Sequence, residues 1–262
     1  MKRVFALLLA LLMLLTLVAC SAKEDEKEEE ETDMTVTNTE LIYSPSENPN
    51  SEEFRYEYVN VDEVRIVEYR SNANNKHAVT VPAQIDQRNV TEIAANAFKS
   101  CANITAVNLP DTVKSIGDSA FYGCIEMESI KLSAALESIG DLAFANCKKL
   151  TFVSVESALI ELGIGAFQGC AAMASVTLPA TLTAIPEKAF MDCKLLKTVT
   201  WSAAGTEICA YAFADCIVLE NFAFPTTLVS VGEYAFAGCA KQVAPTLGFE
   251  PGANAFYGTI GG

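Results

Sequence analysis

Apolar positions along this chain carry two superposed periods. Over short stretches, "TAVNL", "ESIKL", "ASVTL" and "KTVTW" alternate apolar and polar residues, the period-two signature of a strand with one buried face. At longer range, Phe98, Phe121, Phe144, Phe167, Phe190, Phe213 and Phe236 are spaced by 23 residues every time. Each follows an alanine, from Ala97 to Ala235, and precedes a cysteine by three residues: Cys101, Cys124, Cys147, Cys170, Cys193, Cys216 and Cys239. Five residues before each Phe stands an aliphatic residue, as at Ile116 and Ile139, and a proline closes several units, as at Pro110, Pro179 and Pro225. One strand, a turn and a return segment ending in Ala-Phe make one coil of a solenoid. A single coil cannot bury its apolar face, whereas stacked coils bury it against each other, with strands stacking at about 4.8 Å per coil.

The repeated phrase "LPxxLxxIGxxAFxxCxxL" resembles the BspA-like leucine-rich repeat of bacterial surface proteins, over roughly residues 79–256. Twenty-three residues per unit lies within the leucine-rich range. The fold class expected is an α/β-type repeat solenoid, mostly strand and loop, with one short strand per coil. The phrase departs from the common leucine-rich repeat in placing its cysteine before the strand. The resemblance implies a cell-surface protein that adheres to other macromolecules.

Spacing of 23 is unlike the Cys-x-x-Cys of zinc or redox sites. In a solenoid, equivalent residues form a ladder. A thiol is small, often buried and a weak donor to a carbonyl, so the seven cysteines are read as core. Disulfides between neighbouring coils are the alternative, since neighbours lie within bridging range. Cys209 stands apart, replacing the glycine found at Gly117, Gly140, Gly163 and Gly232, and is read as a partly exposed thiol.

The ends need caps. "FRYEYV" and "EVRIVEY", within residues 54–78, read as a β-hairpin closing the N-terminal end of a solenoid spanning 79–262. Near the C-terminus the Phe spacing drops to 20 at Phe256, and Thr259 takes the cysteine position, which reads as a degenerate last coil.

Composition changes the picture upstream of residue 54. Lys2 and Arg3 precede an apolar run from Val4 to Val18, too short for a comfortable membrane span and suited to a signal-peptide core. "LVAC" resembles the lipobox of bacterial lipoproteins, which implies cleavage after residue 19 and a lipid on Cys20. The segment 20–53 then holds twelve acidic and two basic residues, an extended, solvated tether. The expected location is the cell envelope, outside the cytoplasm, with the membrane reached through Cys20. From Phe54 onward fourteen basic residues face twenty-one acidic ones, with no basic cluster beyond Lys148-Lys149. That balance argues against a nucleic-acid partner.

The chain has one histidine, His77, read as a solvated residue of the loop "SNANNKH". No Ser/His/Asp or Cys/His set assembles around it, and "GIGAFQG" belongs to the repeat rather than to a nucleotide loop. Neither an enzyme nor a cofactor is expected. The candidate surface is the outward face of the sheet, eight and ten residues after each Phe: Asn108, Ser129, Lys131, Phe152, Ser154, Ser175, Thr177, Thr198, Thr200 and Asn221. It is shallow and hydroxylated, with Phe152 its one aromatic, while Trp201 falls in the inward register. An extracellular protein or glycan is the expected partner. The alternative is a structural envelope protein that self-associates through the solenoid.

Overall fold

The computed structural model describes residues 53–70, 75–154, 159–201 and 204–261, all within one compact unit, Val36–Gly262. The apolar leader, Cys20 and the acidic tether lie outside the described residues. The fold is a repeat solenoid of 23-residue coils, and no α-helix occurs among the described residues.

One strand of each coil joins a parallel sheet. β3 (His77–Thr80), β6 (Ile104–Asn108), β8 (Ser129–Lys131), β10 (Phe152–Ser154), β12 (Ser175–Thr177) and β14 (Thr198–Thr200) lie side by side in that order. The central residue of each short strand points inward: Val153, Val176 and Val199 are buried, as is Val107 of β6.

Sequence periodicity predicts one strand per coil, and the structure adds a second, of two residues. β7 (Ser115–Ile116), β9 (Ser138–Ile139) and β11 (Glu161–Leu162) continue a sheet begun by β1 (Phe54–Tyr58), β2 (Glu63–Tyr69) and β5 (Arg88–Ile93). β13 (Ala184–Ile185), β15 (Glu207–Ile208) and β16 (Ser230–Val231) form a separate sheet in the later coils. The division falls where Pro186 takes the place of the repeat's glycine. Gly163 N donates to Ile139 O at 2.7 Å, and Cys209 N to Ile185 O at 2.8 Å. Proline has no N–H to make the equivalent bond.

The return segment closes each coil by paired backbone bends. Residues two before and two after the spine phenylalanine have left-handed backbones, for example Leu142 (φ 55) and Asn146 (φ 61) around Phe144. These bends turn alternate N–H groups toward the next coil. Leu142 N, Phe144 N and Asn146 N donate to Ile164 O, Ala166 O and Gln168 O at 2.7–2.8 Å. The same three-bond ladder recurs in every coil from Asn96 to Gly238.

Inside this frame the phenylalanine rings stack from Phe98 to Phe256, with centroids 4.7 to 5.5 Å apart. Offset stacking of this kind contributes roughly 0.5–1.5 kcal/mol per pair beyond area burial. The hairpin β1–β2 caps the N-terminal end by imitation of a coil. Tyr69 stacks on Phe98 at 5.1 Å, and its N–H donates to Ala97 O at 2.7 Å, as a spine phenylalanine would. β4 (Gln84–Ile85) turns back on β5 through Asp86 and Gln87, both left-handed.

Candidate functional site

The cysteine ladder is structural. Cys124, Cys147, Cys170, Cys193, Cys216 and Cys239 are fully buried. Each thiol donates to the carbonyl of a spine phenylalanine in the preceding coil at 3.1–3.2 Å, as Cys170 Sγ does to Phe144 O. All eight cysteines of the described residues are free. The thiol fills the turn and shares that carbonyl with the backbone N–H of the preceding coil's own cysteine, as Cys147 N donates to Phe144 O at 3.2 Å. Burial pushes the Cys170, Cys193 and Cys216 thiols well above their ordinary range, which suppresses thiolate chemistry. The terminal Cys101 is half-buried, with its pKa pushed up to about 11 by burial and by Cys124. Cys209 is half-buried and free.

His77 does not lie in a solvated loop. It opens β3, with Nε2 2.8 Å from the Tyr69 hydroxyl and Nδ1 2.9 Å from Asn75 O. These bonds tie the first coil to the cap residue that imitates the spine. Among the described residues no group of three His, Cys, Asp or Glu is placed to hold a metal ion.

The sheet presents two outward rows. Ala106, Ser129, Phe152, Ser175 and Thr198 are register partners in one row. In the other, Asn108 pairs with Lys131, and Ser154 pairs with Thr177, which pairs with Thr200. Between Lys131 and Ser154 no pairing is recorded, so β8 and β10 meet at a single residue, Phe152 opposite Ser129. Phe152 is 49% exposed, with the small Ser129 and Ser175 on either side of it. Asn108, Ser129, Lys131, Thr198 and Thr200 are exposed, and Ser175 and Thr177 are half-buried. The Lys131 ammonium lies 3.9 Å from Asp111, with both side chains largely in solvent.

Two features depart from the sequence reading of this face. Asn221 is not on the sheet. Its backbone is left-handed (φ 55) and its coil adds no strand to this sheet. Phe222 replaces the valine or isoleucine of earlier coils, and Phe222 and Phe224 pack against Phe236 at 5.3 and 5.2 Å. The Phe222 N–H donates instead to the buried Gln242 side chain at 2.9 Å. At the other edge, β3 extends both rows by one rung: Ala78 pairs with Ala106 and Thr80 with Asn108. The alternation in "HAVT" was the available signal for that rung. Trp201 is buried, as its inward register predicts, and its Nε1–H donates to Leu182 O at 2.9 Å.

Comparisons with known proteins agree with this architecture. The BspA type leucine rich repeat region matches in six copies, over residues 79–197 and 183–257. A leucine rich cell surface protein from Faecalibacterium prausnitzii is similar at 27% identity and a TM-score of 0.66, over 73% of this chain and 52% of that one. The leucine rich repeat protein of T. pallidum is similar at 28% identity and a TM-score of 0.52, over 64% of this chain and 88% of that one. A leucine-rich repeat protein from Bacteroides ovatus is 25% identical with a TM-score of 0.54, over 71% of this chain and 55% of that one. This chain therefore spans about half the length of the F. prausnitzii and B. ovatus structures. Comparison with curated protein sequences gave no match. The repeat, the spine and the coil geometry agree with the family match, and the chain belongs to the BspA type leucine-rich repeat family.

Proposed function

We propose that this protein is a lipid-anchored cell-surface protein whose sheet face binds an extracellular protein or glycan, in the manner of an adhesin. The observation that carries the proposal is the two-row face around Phe152. An aromatic ring half in solvent, flanked by small hydroxylated side chains on a rigid sheet, offers an anchor without a side-chain ordering cost. Extended sheets of this kind serve repeat proteins as recognition surfaces. The surface location draws support from the F. prausnitzii relative, described as a cell surface protein. The leader and "LVAC" support the anchor at Cys20. No described helix is long and apolar enough to cross a membrane. The leucine-rich repeat solenoid, with its thiols taken up by packing, supports the reading of a binding scaffold.

The test is binding of the full chain to a panel of matrix proteins and glycans, beside a variant with Phe152, Thr177 and Thr200 changed to Glu. Saturable binding that the variant loses is the expected result. Binding retained by the variant, or none to any panel member, would overturn the assignment of the sheet face.

A further inference from the structure

The return-segment side of the solenoid carries a second surface, separate from the sheet. Two residues before each spine phenylalanine the backbone is left-handed, a conformation that suits Gly, Asn and Asp and disfavours bulky side chains. Asn96, Gly165 and Asn254 meet that preference, Ser119 is small, and Leu142 is a lone aliphatic departure. Three consecutive coils place long polar or aromatic side chains there: Lys188 (φ 57), Tyr211 (φ 58) and Tyr234 (φ 54). These side chains form a column on the outside of the coils. The Lys188 ammonium sits 5.8 Å from the Tyr211 ring centroid and bonds Glu187 at 2.6 Å. Tyr211 stacks on Tyr234 at 5.2 Å, with 13° between the planes. The next rung is the exposed, short Asn254, and among the described residues no ring or cation covers the far face of Tyr234.

The column therefore reads cation, ring, ring, open rung. The charge around it gives the sign of the ligand. Glu233, next to Tyr234 in the chain, and Glu207 are exposed. Tyrosine faces attract cations through the ring quadrupole, and a nearby carboxylate adds to that attraction. We propose that this strip docks a cationic side chain, arginine foremost, of a basic protein partner, which lies on the open face of Tyr234 as Lys188 lies on Tyr211. The surface is independent of the sheet face and goes beyond the binding reading given above.

The probe is an acetylated, amidated hexapeptide of alternating Arg and Gly, titrated calorimetrically into the full chain at about 0.15 M salt. The same peptide with citrulline for arginine removes the charge and keeps the shape. Tyr234→Asn installs the residue that already holds this backbone at Asn96 and Asn254, so it preserves folding, checked by circular dichroism. The expected result is saturable binding that weakens about tenfold in Tyr234→Asn and with citrulline, and that is unchanged in Phe152→Glu. Arginine attracted only to the acidic segment 20–53 would bind Tyr234→Asn as well as the parent chain. That outcome, equal binding of the citrulline peptide, or no saturable binding overturns the proposal.

Discussion

Replacing Phe167 by alanine tests the spine at its middle, where the rings lie nearly parallel. The ring is fully buried and stacks on Phe144 at 5.2 Å and on Phe190 at 5.5 Å, with planes 5° apart on both sides. The coils above and below cannot close the gap. Phe144 N is bonded to Ala166 O at 2.8 Å and Phe167 N to Ala189 O at 2.9 Å, so backbone rails hold the spacing. A Phe-to-Ala change in a core costs about 3–5 kcal/mol, the upper end applying where the site cannot collapse. With two stacked pairs lost as well, the expected cost is about 5 kcal/mol. That is a large share of a typical domain stability of roughly 5–15 kcal/mol. Phe256 supplies the control, since it is only partly buried and ends the stack, at 5.4 Å from Phe236. Its removal should cost about 2 kcal/mol. Urea unfolding of the full chain, followed by circular dichroism and by fluorescence of the single tryptophan, Trp201, measures both. Because each coil contacts only its neighbours, Phe167→Ala should also separate the two transitions. Equal midpoints for Phe167→Ala and Phe256→Ala would refute the idea that a rigid rail preserves the cavity.

Two further outcomes follow from the close approach of the coils and from the thiol ladder. A Cβ at Gly163 would meet the Gly140 carbonyl carbon at 2.3 Å and Asp141 N at 2.4 Å, whereas one at Gly248 would meet nothing within 4 Å. Gly163→Ala should therefore lower stability by about 1–3 kcal/mol and Gly248→Ala should be near neutral, read from urea midpoints. The buried thiols at Cys170, Cys193 and Cys216 stay protonated above the ordinary value of 9.0, while the unfolded chain ionises there. Their contribution is complete below about pH 9 and is lost as pH rises further. The drop in urea midpoint between about pH 7.5 and pH 10 should be smaller in Cys170→Ala than in the parent; an equal drop would show that the thiol is not protected.

The sequence alone determined the coil. A strict 23-residue interval, an apolar residue at every inward position and a run of alternating strands leave one way to bury the apolar face, which is to stack the units. The hairpin cap and the inward register of Trp201 were legible for the same reason, because period-two alternation assigns each residue to a face. The role of the cysteines was legible as burial, since their spacing matches no ligand geometry. The carbonyl each thiol bonds belongs to the preceding coil and is fixed only once the coils stack.

Other features were settled only by tertiary structure. The position two after each spine phenylalanine is marked by Ser100, Gly123, Asn146, Gly169, Asp192, Asp215 and Gly238, but nothing marks the left-handed position two before, because Leu142, Lys188, Tyr211 and Tyr234 have no intrinsic preference for that backbone and the three-bond ladder imposes it. His77 looked like a loop residue until Tyr69 was brought to it by the cap. Asn221 kept the repeat's position and lost its strand, because Phe222, Phe224 and the Gln242 side chain took over that end of the core. The tyrosine column lies on residues that are neighbours 23 positions apart, so its stacking, its strain and its open rung exist only when the coils are in register.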